Sequence, residues 1–502
     1  MQQQSVYDAI QANSDANALQ QYGVLDKHRK YQTQYKTNDI YWGLGLEHEF
    51  YLETGQYTTI DTTSILTHNK PERYSVRYNT VYNAQLFTEA INNISQQLPK
   101  ITIPVLYNAY SWQKTDICNQ HITTYSKTPQ PNPLFGGETI HNYCISRSPW
   151  LQSEYDKSYT FDGDTFEIMT QNFYKTTVKK CMNEYAAVHA TFIKEIAAAL
   201  EQPLRIMSRN YPFAVYKTNP GQIAMFNNGT VHFNITLPTR MGPQGKIECW
   251  RRFVDQHREF ARAIQWMEPL WLARYGAGDP LAASKYYGEY FSAASQRTAV
   301  SRYIGIGTYD TDTMPCGKIL QCDVSTGTYP WYDAFYRCCS GYERLSKIGM
   351  DLNFNKHPNH GLEVRFFDQI AEKDIEAIYI VLMNLADFSL SRPRGSIPNI
   401  RTSAAWCELF VDVMQYGSSA PLSMNIIKEY ERVFRFSCND GCRTVGDLYS
   451  IICQHLLQTY NSGNCAKCMM PDKWVPQPVR REIMESKAVA AVGKKKNPCI
   501  CM

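Results

Sequence analysis

The chain has 502 residues, 44% of them hydrophobic and 20% charged, with a formal net charge of +4. That balance excludes a disordered chain, which would be poorer in apolar residues and richer in charge. It also gives no basis for a nucleic-acid surface, which needs concentrated basic charge. No run of about 18 apolar residues occurs, so no membrane-spanning helix is expected. Met1 to Ala18 is rich in Gln, Asn and Ala and lacks the basic start and apolar stretch of a secretory signal. A cytoplasmic location is expected, with the 16 cysteines mostly reduced and buried.

Residues 1–39 form a polar extension. Ile40 to Glu53 reads as a strand through Tyr41, Trp42, Leu44, Leu46, Phe50, Tyr51 and Leu52. Tyr82 to Gln97 has helical spacing at Leu86, Ile91 and Ile94, and a loop-rich stretch with Pro129, Pro131, Pro133, Gly136 and Gly137 follows. Asp162-Gly163-Asp164 is a turn signal ahead of a short strand, Thr165 to Met169. A helix is expected over Lys179 to Leu200, and a hairpin over Ile223 to Leu237 at Asn227-Asn228-Gly229. Glu248 to Tyr275 reads as a long helix closed by Gly276 and Gly278, and Gly361 to Asp368 as a short alternating strand.

Four helices are expected around Ile375–Leu390, Ser403–Gln415, Met424–Phe434 and Thr444–Leu457. The chain divides into the extension, a catalytic domain over 40–371, a helical part over 372–483 of the same or an appended domain, and a basic tail over 484–502. Strands scattered among helices without regular alternation favour an α+β fold. The Gly-rich phosphate motifs of a doubly wound sheet are absent.

Three strands carry carboxylates. In Gly45-Leu46-Glu47-His48-Glu49-Phe50 the period of two puts Glu47 and Glu49 on one face, about 6.6 Å apart along the strand. Two carboxylates that close are costly unless a cation sits between them, and Mg²⁺ takes hard oxygen ligands of this kind. A strand with one solvated face is the bland alternative. The second is Thr165-Phe166-Glu167-Ile168-Met169-Thr170, where Glu167 stands in an apolar setting; alone it reads best as an exposed edge residue. The third is Leu362-Glu363-Val364-Arg365-Phe366, with Glu363 and Arg365 sharing a face as a salt bridge or as a metal ligand beside a phosphate clamp. Between them, His232 and Asn234 share a face in Thr230-Val231-His232-Phe233-Asn234-Ile235.

These four segments occur in a characteristic order. The chain resembles the glutamine synthetase and glutamate–cysteine ligase superfamily, in particular its amidoligase-like branch. Gly45, Glu47 and Glu49 match the opening G-x-E-x-E strand, and Glu167 with Thr170 the E-x-x-T strand. His232 and Asn234 match H-x-N, and Glu363 with Arg365 match E-x-R, with Asp368 just beyond. The resemblance implies a curved antiparallel sheet whose concave face holds Mg²⁺ and ATP, flanked by helices. Glu47, Glu49, Glu167 and Glu363 would bind the metal, His232 would sit near metal or phosphate with Asn234, and Arg365 would stabilise the departing phosphoryl group. The activity implied is ATP-dependent joining of a carboxylate to an amine through an acyl phosphate. Arg297 and Arg302 are further clamp candidates, and Arg73 and Lys318 weaker ones; for all four, ordinary surface cations are the commoner case.

Two further signals stand apart. Cys438, Cys442, Cys465 and Cys468 could make a four-thiolate zinc site, with reduced thiols or disulfides as alternatives. Cys499-Ile500-Cys501-Met502 has the outline of a prenylation box behind a Lys run, which would give membrane contact. Expected partners are small-molecule or peptide carboxylates and amines, an oligomer being open. The competing functions are a guanidino-kinase-like phosphotransferase, which would lack the Glu-x-Glu opening, and a retired ligase fold serving as a structural or interaction protein, as in a virus particle.

Overall fold

Leu44, Leu46, His48 and Phe50 alternate with Gly45, Glu47 and Glu49, and that period of two decides which side of the first strand faces the core. The computed structural model describes residues 40–61, 100–107, 140–162, 165–206, 213–216, 219–225, 229–242, 247–276, 352–354, 361–400, 403–438 and 442–461. In chain order its elements begin with β1 (Ile40–Phe50), β2 (Leu52–Asp61), β3 (Lys100–Tyr107), α1 (Ile140–Ile145) and α2 (Pro149–Glu154). There follow β4 (Tyr159–Asp162), β5 (Thr165–Met169), α3 (Val178–Ala199), β6 (Arg205–Ile206), β7 (Phe213–Tyr216), β8 (Asn219–Met225) and β9 (Thr230–Arg240). The remainder is α4 (Trp250–Tyr275), β10 (Leu352–Phe354), β11 (Leu362–Asp368), α5 (Glu372–Leu390), α6 (Ala404–Tyr416), α7 (Met424–Phe434) and α8 (Val445–Asn461).

The main sheet has the order β10-β11-β9-β1-β5-β4, and every neighbouring pair in it is antiparallel. A second sheet runs β6-β2-β3-β7-β8, with β3 and β7 parallel. The architecture is α+β, with an open antiparallel sheet at its centre. Helices cover one face of the main sheet. Phe50 and Phe166 meet Phe192 of α3 edge-on, and Phe233 meets Phe367 and Tyr379 of α5 at 5.2 and 4.9 Å between ring centroids. Deleting a ring so placed costs about 3–5 kcal/mol. α3 starts at Thr177, whose side chain accepts from the Lys180 N–H, and turns Cys181, Tyr185, Phe192 and Ile196 inward. α5 is buried on nearly every side, as expected of a helix covered on both faces.

Two sequence expectations are corrected. Ile40 to Glu53 is not one strand: the chain breaks at Tyr51, and β2 enters the other sheet. The apolar run continues through the break because Tyr51 and Leu52 are themselves fully buried, so the sequence carries no punctuation there. The hairpin expected at Asn227-Asn228-Gly229 is not formed either. β8 pairs with β7, whereas β9 pairs with β1 and β11. Gly229 is needed for another reason. Its φ is +92°, and a Cβ there would run into the Glu49 carbonyl. The four C-terminal helices stand where their periodicity puts them. The helix expected over Tyr82 to Gln97, residues 1–39, the prolines at 129–133 and the tail over 484–502 lie outside the described residues.

Candidate functional site

The face of the main sheet turned away from the helices collects polar side chains. In the ladders, His232 lies opposite Glu47, Asn234 opposite Gly45, and Thr230 opposite Glu49. On the other side of β1, Glu167 lies opposite Glu49 and Met169 opposite Glu47. β11 sets Glu363 opposite Asn234 and Asp368 opposite Thr230.

Strict alternation along β11 would send Asp368 to the helix side with Val364 and Phe366. The register instead slips between Val364 and Phe367, a β-bulge. Phe366 and Phe367 both turn to the helix side, where their centroids lie 6.1 and 5.8 Å from that of Trp271. The extra residue rotates Asp368 onto the polar face, fully buried. Two consecutive phenylalanines in an otherwise alternating strand are the sequence signal for this.

His232 is the hub. Its Nδ1 is 3.4 Å from Glu47 Oε2 and 3.4 Å from Glu363 Oε1, and its Nε2 is 3.5 Å from Glu49 Oε1. The Glu49 and Glu363 side chains are 1% and 0% exposed and that of Glu47 13%, so three carboxylates are withdrawn from water around one imidazole. Asn234 Nδ2 donates to Glu47 Oε1 at 3.2 Å, and Thr165 Oγ1 donates to Glu49 Oε2 at 3.4 Å. Arg365 Nη1 stands 3.3 Å from Glu363 Oε2. Like charges this close and this buried are costly unless a cation joins them.

The donor set fits a divalent cation. Ligand atoms of Glu47, His232 and Glu363 lie within 4.8 Å of one another, close to the roughly 4.2 Å that separates opposite oxygens across an octahedral magnesium ion. Carboxylate oxygens suit Mg²⁺ or Mn²⁺, and the imidazole nitrogen widens the range toward softer transition metals.

Thr170 has a backbone role instead: Leu46 N–H donates to its Oγ1, and its own N–H donates to the Leu46 carbonyl, both at 3.0 Å, which closes the β1–β5 ladder. The glycines ahead of Glu47 make room for Phe173, since a Cβ on Gly43 or Gly45 would run into its ring. The Tyr379 hydroxyl of α5 donates to the Gly45 carbonyl. Sequence reasoning missed Phe173, Tyr379 and the hydrogen bonds that His48 makes with Tyr185 and Gln369. Only the small residues at 43 and 45 hinted at a close neighbour.

Arg73, Arg297, Arg302, Lys318, Cys465, Cys468 and Cys499 lie outside the described residues. Of the cysteine set, Cys438 and Cys442 are described; they share a hydrogen bond, and burial, then that bond, raises the Cys442 thiol. Among the described residues no helix is long and apolar enough to cross a membrane.

Fold and site together define an α+β protein with carboxylates gathered around a histidine on one face of an open antiparallel sheet. No family model matches the chain. It is similar to an uncharacterized protein of Acanthamoeba polyphaga mimivirus, 30% identical over 473 residues, which span 92% of this chain and 82% of the relative. The chain belongs to the family of that protein.

Proposed function

We propose that the protein is an ATP- and Mg²⁺-dependent carboxylate–amine ligase on a sheet of glutamine-synthetase type. The supporting observation is the placement of Glu47, Glu49 and Glu363 around His232 on one buried face, with Arg365 beside Glu363. In this reading Glu47, His232 and Glu363 hold a metal, with Glu49, Glu167 and Asp368 continuing the acidic row across Thr230. When bound, ATP with its metal would supply the phosphoryl group that turns a carboxylate oxygen into a leaving group. Asn234 and Thr165 fix the orientation of Glu47 and Glu49 by donating to them. Arg365 presents a fixed fork toward phosphoryl or carboxylate oxygens and screens their charge. Burial of this face strengthens each of these interactions by excluding water. The substrates in this reading are a small-molecule or peptide carboxylate and an amine.

The test is product analysis with ATP, Mg²⁺ and pooled amino acids, amines and peptides. A ligase releases ADP and orthophosphate together and yields an amide. A guanidino-type kinase yields ADP and a phosphorylated acceptor without orthophosphate. Absence of any Mg²⁺-dependent ATP binding would refute the enzyme reading and favour the retired scaffold.

A further inference from the structure

We infer that His48 and Gln369 are positioning residues that form a strap beneath the sheet, fixing the spacing between the carboxylates of β1 and those of β11. This rests on the metal-binding reading of the acidic face. β9 lies between β1 and β11, so no ladder hydrogen bond joins the two acidic strands directly. His48 sits between Glu47 and Glu49 but points to the opposite side, and Gln369 directly follows Asp368. His48 Nε2 donates to Gln369 Oε1 at 2.8 Å. A carboxamide oxygen only accepts, so Nε2 carries the hydrogen. Nδ1 of the neutral ring then accepts from the Tyr185 hydroxyl at 2.6 Å.

The crossing is built into the sequence. Gly229, at the foot of β9, has no side chain to obstruct it; a Cβ there would press on Gln369 Oε1. The strap is also anchored. Tyr185 stacks on His189 with 5.8 Å between centroids, and His189 Nδ1 lies 3.7 Å from Glu372 Oε2 in the first turn of α5.

The bulge explains why a strap is useful here. Between Val364 and Phe367 the β9–β11 ladder is irregular, so regular pairing holds the Asp368 end of β11 less firmly. The Thr230 hydroxyl, which donates to the Phe367 carbonyl, and the His48–Gln369 bond both fasten the chain just past the bulge. A buried polar pair costs desolvation, but it fixes direction and distance in a way that an apolar contact does not. Residues that orient metal ligands from behind typically change metal affinity by about 10- to 100-fold when removed.

The experiment is an Mn²⁺ titration of the full chain by electron paramagnetic resonance, with thermal unfolding measured in parallel. Gln369→Leu and His48→Phe are expected to weaken Mn²⁺ binding by about 10-fold or more. His48→Gln keeps a side-chain N–H within reach of Gln369 and is expected to restore most of the affinity. Ile452→Val, a core change in α8, serves as the control that lowers stability without weakening Mn²⁺ binding. If the larger changes do not fold, Gln369→Asn, which draws the amide back by one methylene, gives the same reading. Unchanged Mn²⁺ affinity in folded strap variants would overturn the strap alone. No Mn²⁺ binding by the unsubstituted protein would overturn the metal reading itself, and the strap with it.

Discussion

His232 lies directly across the β1–β9 ladder from Glu47, its Nδ1 3.4 Å from Glu47 Oε2 and equally far from Glu363 Oε1. One imidazole cannot neutralise three carboxylates, even when protonated and helped by Arg365. Glu47→Gln removes one negative charge and keeps an oxygen to accept from Asn234. Its melting temperature without metal is therefore expected to stay level or rise. Mg²⁺ is expected to stabilise the unsubstituted protein by about 2.7 kcal/mol at a hundredfold excess over Kd, and that gain should vanish in Glu47→Gln. Glu47→Ala and Glu363→Ala should each abolish Mg²⁺-dependent ADP release while the far-ultraviolet dichroism persists. Unchanged turnover in both would refute the roles given to those residues.

The tight fit of Phe173 over β1 gives a second prediction. A methyl group at Gly45 must displace the ring, and overpacking of this sort costs about 1–3 kcal/mol. Gly45→Ala should lower the urea midpoint accordingly. Gly45→Ala combined with Phe173→Leu should recover part of the loss, so that the two changes are non-additive. Strict additivity would mean that the ring and the glycine do not meet.

Much of this site could be read from the period of two alone. Glu47 with Glu49, His232 with Asn234, and Glu363 with Arg365 each share a face by alternation, and the four C-terminal helices follow from their apolar spacing. What alternation could not supply was tertiary. The bulge that turns Asp368 over depends on packing two adjacent phenylalanines against Trp271. Asn227-Asn228-Gly229 has hairpin chemistry, yet the strands on either side find other partners, because turn preference is local and strand pairing is not. The break at Tyr51 hides within continuous burial. The bonds of His48 could not be read locally either, because its partners, Tyr185 and Gln369, are 137 and 321 residues away.

His257 supplies a pH dependence. It is fully buried: Nδ1 donates to the Phe253 carbonyl at 2.7 Å, and Nε2 accepts the Leu237 N–H at 2.9 Å, which joins α4 to β9. Burial lowers its pKa from 6.5 to about 4. Between those values the unfolded chain binds a proton that the folded chain refuses. Stability is therefore fully present above pH 6.5 and is lost as pH falls toward 4, by roughly 3 kcal/mol in all. Urea midpoints measured from pH 7 to pH 4 should fall along that course. His257→Gln keeps an acceptor for Leu237 and should flatten the slope by about 1.4 kcal/mol per pH unit. An unaltered slope would mean that His257 is charged in the folded protein.

Four of the described cysteines should separate cleanly by reactivity. Cys249, at the start of α4, is exposed, whereas Cys144, Cys181 and Cys453 are buried. Burial pushes those three thiols up to about 12. At pH 8 a thiol of that kind is ionised to only about one part in ten thousand, and the thiolate is the form that reacts. Brief iodoacetamide treatment of the native protein, followed by peptide mass spectrometry, should therefore find Cys249 carboxamidomethylated and the other three untouched until denaturant is added. The Cys181 thiol lies 3.9 Å from the Tyr379 hydroxyl that donates to Gly45 at the head of the acidic strand. Labelling of Cys181 as fast as Cys249 would therefore mean that α3 and α5 part from the sheet in solution, and that the acidic face lacks the rigid backing which closely spaced metal ligands require.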